Sequence, residues 1–275
     1  MISSRAFLFA LSALLLSACV ADHAVDMESR PISLDQNAEP SGAVGAASVA
    51  SLLPTTSRTY VTMTVAQHDN GITAASSRDN TTPVTSGSGF VVSLDGYVIT
   101  AAHVAIAKGN EISARAADGR IYTGAVVAVY PENDMALVKL RSFNGSAVTP
   151  GAPGCLAPGA LIYTLGKPHG GGDTARIGSL QNMHFGRPVS YGKFGYPDAL
   201  VLHMGTQRGE SGGPVFNDKG QLIGMVVSTL SDSTGQSINL AHAIPANTIG
   251  RFFCSQGSCA AAWSGLAALP VDSCG

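Results

Sequence analysis

The 275-residue chain reads as an all-β protein, a barrel or a sandwich, on three observations. Short runs rich in β-branched and aromatic residues recur, bounded by turn pairs such as Asp95-Gly96 and Asp118-Gly119. The chain holds 32 glycines and 14 prolines against one tryptophan, a loop-rich composition. No long amphipathic helical pattern separates the β runs, so the crossover helices of a parallel sheet have no place.

Composition excludes several classes. Charged residues make up 12% of the chain, half the roughly 25% of ordinary soluble proteins. Hydrophobic residues reach 45%, which argues against global disorder. A net charge of −2 gives no basic footprint for nucleic acid. The length suits one large domain or two small ones, with room for a sizeable core.

Residues 1–18 carry a secretory signal: Arg5 is the positive region, and Ala6–Leu16 is an apolar run too short to span a bilayer. The run ends Leu16-Ser17-Ala18-Cys19, which resembles the bacterial lipobox. That resemblance implies lipidation of Cys19 and a protein anchored in the bacterial cell envelope. Val20 follows rather than Asp, which points to the outer membrane, facing the periplasm. The alternative is an ordinary signal cleaved after Ala18, giving a soluble periplasmic or secreted protein. Residues 19–57, rich in Ala, Ser, Gly and Pro, read as a flexible tether.

The β runs follow in order. Tyr60–Val65 alternates; Phe90–Val92 and Tyr97–Thr100 flank Asp95-Gly96; Glu111–Ala116 and Arg120–Val129 flank Asp118-Gly119. Met135–Leu140 and Leu161–Leu165 come next, then Val215-Phe216 and Gln221–Ser228 around Asn217–Gly220. A helix is expected from Asn247, as N-cap, into Phe253. Residues 255–275 form a cysteine-containing tail. Cys155, Cys254, Cys259 and Cys274 fit two disulfides in an exported chain, with three pairings open. Their spacing lacks the paired C-x₂-C ligands of a zinc site, so no metal and no cofactor is expected.

Three segments carry chemistry. Thr100-Ala101-Ala102-His103-Val104 follows a strand; Asn133-Asp134-Met135 opens another; Gly209-Glu210-Ser211-Gly212-Gly213-Pro214 is a glycine-rich turn. A serine hydroxyl needs a base within hydrogen-bond reach. An imidazole serves as that base, and a buried carboxylate fixes its tautomer. The order His, Asp, Ser assigns His103 as base, Asp134 as orienter and Ser211 as nucleophile. The N–H groups of Gly209 and Ser211 would form the oxyanion hole. Each segment alone has a structural reading, as a surface histidine, a turn aspartate or a tight turn; the joint occurrence in order outweighs them.

At these residues the chain resembles the trypsin-like serine proteases, and among them the HtrA/Deg family. The segments are Ser86–Val92 with Gly96–Val104, Ala125–Leu140, Leu165-Gly166-Lys167-Pro168 and Ala243–Asn247. The resemblance covers about residues 58–254. It implies two six-stranded antiparallel β-barrels with the active site between them and a short C-terminal helix. It also implies a serine endopeptidase acting on polypeptide substrates through an acyl-enzyme. Lys167 replaces the family's usual asparagine, and Glu210 stands where Asn or Asp is usual. Glu210 is expected to pair with Arg208 or to face solvent. Only about 20 residues follow Cys254, so no PDZ domain is expected.

In the resembling fold, Gly205 and Thr206 form the base of the primary specificity pocket, without the carboxylate that selects Lys or Arg. Strand Met225-Val226-Val227-Ser228 would pair with the substrate backbone. His242 is expected near the third pocket wall, which raises acidic P1 residues as an option; a small or medium apolar P1 is the default. The oligomeric state has no sequence signature.

Two rival functions come from other classes. Gly209–Gly213 also fits G-x-S-x-G, the elbow of α/β-hydrolase esterases. That reading needs its acid and histidine downstream, where Asp232 and His242 follow too closely, and it leaves His103 and Asp134 unexplained. The other rival is a protease fold whose catalysis has lapsed into a binding module. Gly170-Gly171-Gly172 lacks the GK[ST] of a phosphate loop, and His169, His184 and His203 lack metal-ligand spacing.

Overall fold

The computed structural model describes residues 32–35, 42–66, 84–234, 236–257 and 259–274. The signal segment and Cys19 lie outside these residues. The elements are β1 (Ser33–Asp35), α1 (Gly42–Thr56), β2 (Tyr60–Ala66), β3 (Val84–Val91), β4 (Tyr97–Ala101), α2 (Ala102–Ala105), β5 (Glu111–Ala116), β6 (Ile121–Tyr130) and β7 (Met135–Leu140). The second half holds β8 (Leu161–Gly166), β9 (Thr174–Asn182), β10 (Val189–Tyr191), β11 (Phe194–Tyr196), β12 (Leu200–His203), β13 (Pro214–Asn217), β14 (Leu222–Ser231) and β15 (Ser237–Pro245), then α3 (Ala246–Ser255) and α4 (Ala261–Ala268).

Two six-stranded antiparallel barrels result. The first closes in the order β2-β3-β4-β7-β6-β5. The second runs β9-β12-β15-β14-β13-β8 and closes through β8 against β9. Closure removes the free edges that an open sheet would present. The turn pairs behave as read: Gly96 and Gly119 have φ of +90° and +83°, values that favour glycine. Barrel interiors are filled by β-branched, leucine and aromatic side chains, among them Phe90, Ile99, Leu137, Tyr163, Leu165 and Phe216, all essentially inaccessible.

Three expectations are corrected. The span read as a tether contains β1, which pairs parallel to β9, and the 15-residue helix α1. Val49 of that helix is fully buried, and the Tyr163 hydroxyl donates to Thr56 Oγ1 at 3.3 Å. The four alanines of this stretch favour a helix, and its docking on the second barrel covers one side of it. Asn247 is not the N-cap of α3: Pro245 holds that position, and Asn247 donates from Nδ2 to Pro270 O at 3.0 Å. The C-terminal segment is a packed element. Trp263 of α4 is 1% exposed, lies edge-on to Phe253 with centroids 5.8 Å apart, and donates from Nε1 to Val92 O at 3.0 Å. Of the three possible disulfide pairings, the structure holds Cys155–Cys274 and Cys254–Cys259. No helix among the described residues is long and apolar enough to cross a membrane.

Candidate active site

His103 sits in the single turn α2 directly after strand β4. Its Nδ1 lies 2.7 Å from Asp134 Oδ2, and its backbone N–H donates to Asp134 Oδ1 at 2.9 Å. One residue thus occupies both carboxylate oxygens and fixes the ring's face. Asp134 is fully buried and ends a 3₁₀ turn, Pro131–Asn133, with φ +46°. Aspartate tolerates this left-handed region better than most residues. Strand β7 starts next and pairs with β4 in the register Ala101↔Met135, which brings the two segments side by side.

The loop Gln207–Gly213 is folded on itself, with Glu210 N–H bonded to Gln207 O and Gly213 N–H to Glu210 O. Gly212 has φ +85°, and a Cβ there would lie 2.2 Å from Ser88 O and 2.4 Å from Thr100 Oγ1. Only glycine fits so close to the strand leading to His103. Gly209 has φ +95° and faces Lys167 O and His169 in the same way. The Ser211 carbonyl accepts from Ser88 N–H at 2.9 Å. A Cβ on Gly87 would meet Val104 at 2.7 Å and Ser211 O at 3.1 Å. The Ser211 and His103 segments therefore converge on one glycine of β3. Among the described residues, the N–H groups of Gly209 and Ser211 donate no hydrogen bond.

Glu210 pairs with neither Arg208 nor solvent. It is fully buried; Arg176 Nε–H donates to its Oε1 at 2.6 Å and Gln207 N–H to its Oε2 at 2.5 Å. Burial lifts its carboxyl above the ordinary value, and Arg176 pulls it back. Arg176 in turn bonds Asp35 of β1.

The expected pocket residues divide. Gly205 faces the Asn239 side chain, whose Oδ1 would lie 2.8 Å from an added Cβ. Thr206 Oγ1 is 2.6 Å from Thr229 Oγ1. Met225 and Val226 are not on a free edge. Met225 is registered with Pro214 of β13, and Val226 exchanges hydrogen bonds with the Gly212 and Gly213 backbone. The side of β14 left without a strand partner, among the described residues, begins at Val227 and includes Ser228. His242 is not a pocket wall. It is fully buried, 4.2 Å from the Phe185 ring between centroids, with Nδ1 2.8 Å from the Tyr196 hydroxyl. Burial pushes its pKa down to about 4, so it is neutral at physiological pH. Of the other histidines, His184 bridges Asp198 and Asp272, and His169 Nε2 lies 3.1 Å from Ser86 Oγ.

One contact carries no motif. The Tyr191 hydroxyl, from the β10–β11 hairpin, donates to Asp134 Oδ2. The hairpin's alternating Val189-Ser190-Tyr191 and Phe194-Gly195-Tyr196 around Gly192-Lys193 is its only sequence signal.

Residues 87–225 match the family model described as "Trypsin-like peptidase domain". The chain belongs to the trypsin-like peptidase family. Over 194 residues it is 31% identical to a Brucella suis protein titled "Probable periplasmic serine endoprotease DegP-like", covering 69% of this chain and 37% of that one. A Chlamydia trachomatis protein with the same title is 31% identical over 195 residues, covering 68% and 37%. The chain thus spans well under half the length of these relatives. Among solved structures, the HtrA-type protease AlgW with a tripeptide superposes with a TM-score of 0.59 at 26% identity, over 71% of this chain and 59% of that one. The inactive form of the Rv3671c protease shares the fold, with a TM-score of 0.61 at 22% identity, covering 82% of this chain and all of that one.

Proposed function

We propose that this trypsin-like peptidase is an active serine endopeptidase with His103, Asp134 and Ser211 as its triad. The observation that carries the reading is the doubly bonded His103–Asp134 pair, with its carboxylate wholly buried, beside a glycine-strained loop that holds Ser211. Ser211 Oγ attacks the scissile carbonyl as its proton passes to His103 Nε2. Asp134 holds Nδ1–H and stabilises the imidazolium. The uncommitted N–H groups of Gly209 and Ser211 receive the oxyanion. His103 then protonates the leaving amine, the acyl-enzyme forms, and water releases it by the reverse proton path.

Substrate backbone pairs with the open side of β14 from Val227 onward. The P1 side chain is small or medium and apolar. The Thr206–Thr229 pair and the Asn239 amide beside Gly205 supply no countercharge. Export and lipid anchoring at Cys19 belong to the same reading, supported by the lipobox-like residues and the periplasmic title of the DegP-like relatives.

Fluorophosphonate labelling of the purified protein, beside Ser211→Ala and His103→Ala, tests the triad. Labelling of the parent alone supports it. A folded parent that does not label turns the reading toward a binding module. A peptide library tests P1, and strict cleavage after Lys, Arg or Glu defeats the pocket assignment. Cys19→Ala with metabolic palmitate labelling tests the anchor.

A further inference from the structure

We infer that Tyr191 is a positioning residue of the catalytic centre, a third donor that holds the Asp134 carboxylate against His103. The inference rests on the triad reading above for its kinetic consequence, but the hydrogen-bond assignment stands on geometry of its own.

Asp134 has four in-plane acceptor sites and accepts from three donors. His103 N–H takes Oδ1, while His103 Nδ1–H and the Tyr191 hydroxyl share Oδ2. The Tyr191 ring stands edge-on to the His103 ring, with centroids 5.8 Å apart and planes at 77°. Phe194, across the hairpin, packs on the same imidazole at 6.4 Å. Burial and the Asp134 charge push the Tyr191 phenol far above its ordinary range, so it stays a donor at any working pH.

The hairpin is anchored well enough for this role. Tyr196 pairs with Val189 in the hairpin register. Its hydroxyl lies 2.8 Å from both Ser228 Oγ of β14 and His242 Nδ1 of β15. At the hairpin base, Asp198 Oδ1 accepts from the N–H groups of Phe185, Gly186 and Ala199 at 2.9, 3.0 and 2.9 Å. Tyr191 is thus carried by the second barrel and bonded to a carboxylate of the first.

A donor on Oδ2 withdraws charge that would otherwise stabilise the imidazolium. Removing it therefore has two effects of opposite character. The carboxylate is less firmly held, which slows catalysis. It is also more negative toward His103, which strengthens the remaining Nδ1–H to Oδ2 hydrogen bond. A hairpin that only buttressed the fold would do neither selectively.

The test is Tyr191→Phe, which keeps the ring and deletes the hydroxyl, checked for an unchanged thermal midpoint, with Tyr191→Leu as the second variant. In the Ser211→Ala background, the NMR signal of the His103 Nδ1–H proton is expected to shift in Tyr191→Phe, because Asp134 Oδ2 loses its second donor. In the active protein, plateau kcat/KM on a chromogenic peptide is expected to fall about tenfold, mainly in kcat with KM little changed. An unmoved His103 Nδ1–H signal in a folded Tyr191→Phe protein overturns the inference, and so does full wild-type activity. A parent that fails to label with fluorophosphonate, while its His103 Nδ1–H signal still moves in Tyr191→Phe, overturns the enzymatic reading and leaves the Tyr191–Asp134–His103 coupling standing.

Discussion

Acid should destabilise this protein through one histidine that takes no part in chemistry. His242 is fully buried, its Nδ1 is engaged by the Tyr196 hydroxyl, and its Nε2 has no hydrogen-bond partner among the described residues. Burial lowers its pKa from 6.5 to about 4, with Asp198 pulling the other way and Arg187 adding to the depression. For a base with a lowered folded pKa, the unfolded chain binds a proton that the folded protein refuses. The stability is complete above about pH 6.5 and is lost as pH falls toward 4. Between pH 7 and pH 5 the linkage integral gives a loss of about 2 kcal/mol from this group alone, approaching about 3 kcal/mol near pH 4. The perturbation is His242→Phe. It keeps a ring against Phe185, leaves the Tyr196 hydroxyl with Ser228 Oγ, and removes the titration. The assay is urea unfolding at pH 7, 6 and 5 in the Ser211→Ala background, which prevents self-digestion. The unfolding free energies of parent and variant should diverge with acidification, the variant falling less by about 2 kcal/mol at pH 5. Parallel pH curves would refute the reasoning, since burial would then not be withholding a proton from His242.

The two disulfides should differ sharply in worth. Loop-closure entropy gives about 5 kcal/mol for Cys155–Cys274, which closes 119 residues, and about 2 kcal/mol for Cys254–Cys259, which closes 5; serine double variants read by chemical unfolding separate them. Arg176→Met strands the buried Glu210 and should cost about 3–5 kcal/mol by the same assay, with Glu210→Gln in the Arg176→Met background recovering part of it. His184 is raised above 6.5 by Asp198 and then Asp272, so its bridge is fully present below 6.5 and lost as pH rises through the higher folded value. The site is half-exposed, which limits the effect to under about 1 kcal/mol. The stability gap between parent and His184→Asn should close as the pH is raised from 6 to 8.

What the sequence reveals is what its local chemistry dictates. Strands flanking Asp95-Gly96 and Asp118-Gly119 are legible because turn and alternation agree. The His103, Asp134 and Ser211 segments are legible because they occur together, in order, each beside a strand or a glycine-rich turn. Strand β9 is not. Its alternation is broken by Gly178, where a Cβ would lie 2.4 Å from His203 O, and by Arg176, which points inward to meet Glu210. Helix α1 has small residues that also suit a linker, and its contacts with the second barrel, through Thr56 and Tyr163, are not written in local sequence. The segment after Cys254 becomes legible once Trp263 is known to sit over Gly250, whose missing Cβ would lie 3.3 Å from Trp263 O. The site residues outside the motifs, Tyr191 and Arg176, share one cause: each is defined by a partner more than thirty residues away.

That shared cause bears on how the site is held. Both buried carboxylates at its heart, Asp134 and Glu210, are completed by residues of other elements: Tyr191 on the hairpin for one, Arg176 on β9 for the other. A lone buried carboxylate is costly, so each demands its donors. Asp134 faces His103, and Glu210 immediately precedes Ser211. The donors therefore fix both halves of the chemistry without touching substrate. Arg176 extends the second chain of contacts to Asp35, on a strand of three residues that, among the described residues, pairs only with β9. The order of the Ser211 loop is thereby tied to the docking of the segment that precedes α1, the stretch whose composition reads as mere spacer. A motif search finds the three residues of the proposed triad; the electrostatics of two buried anions explains why Tyr191 and Arg176 stand beside them.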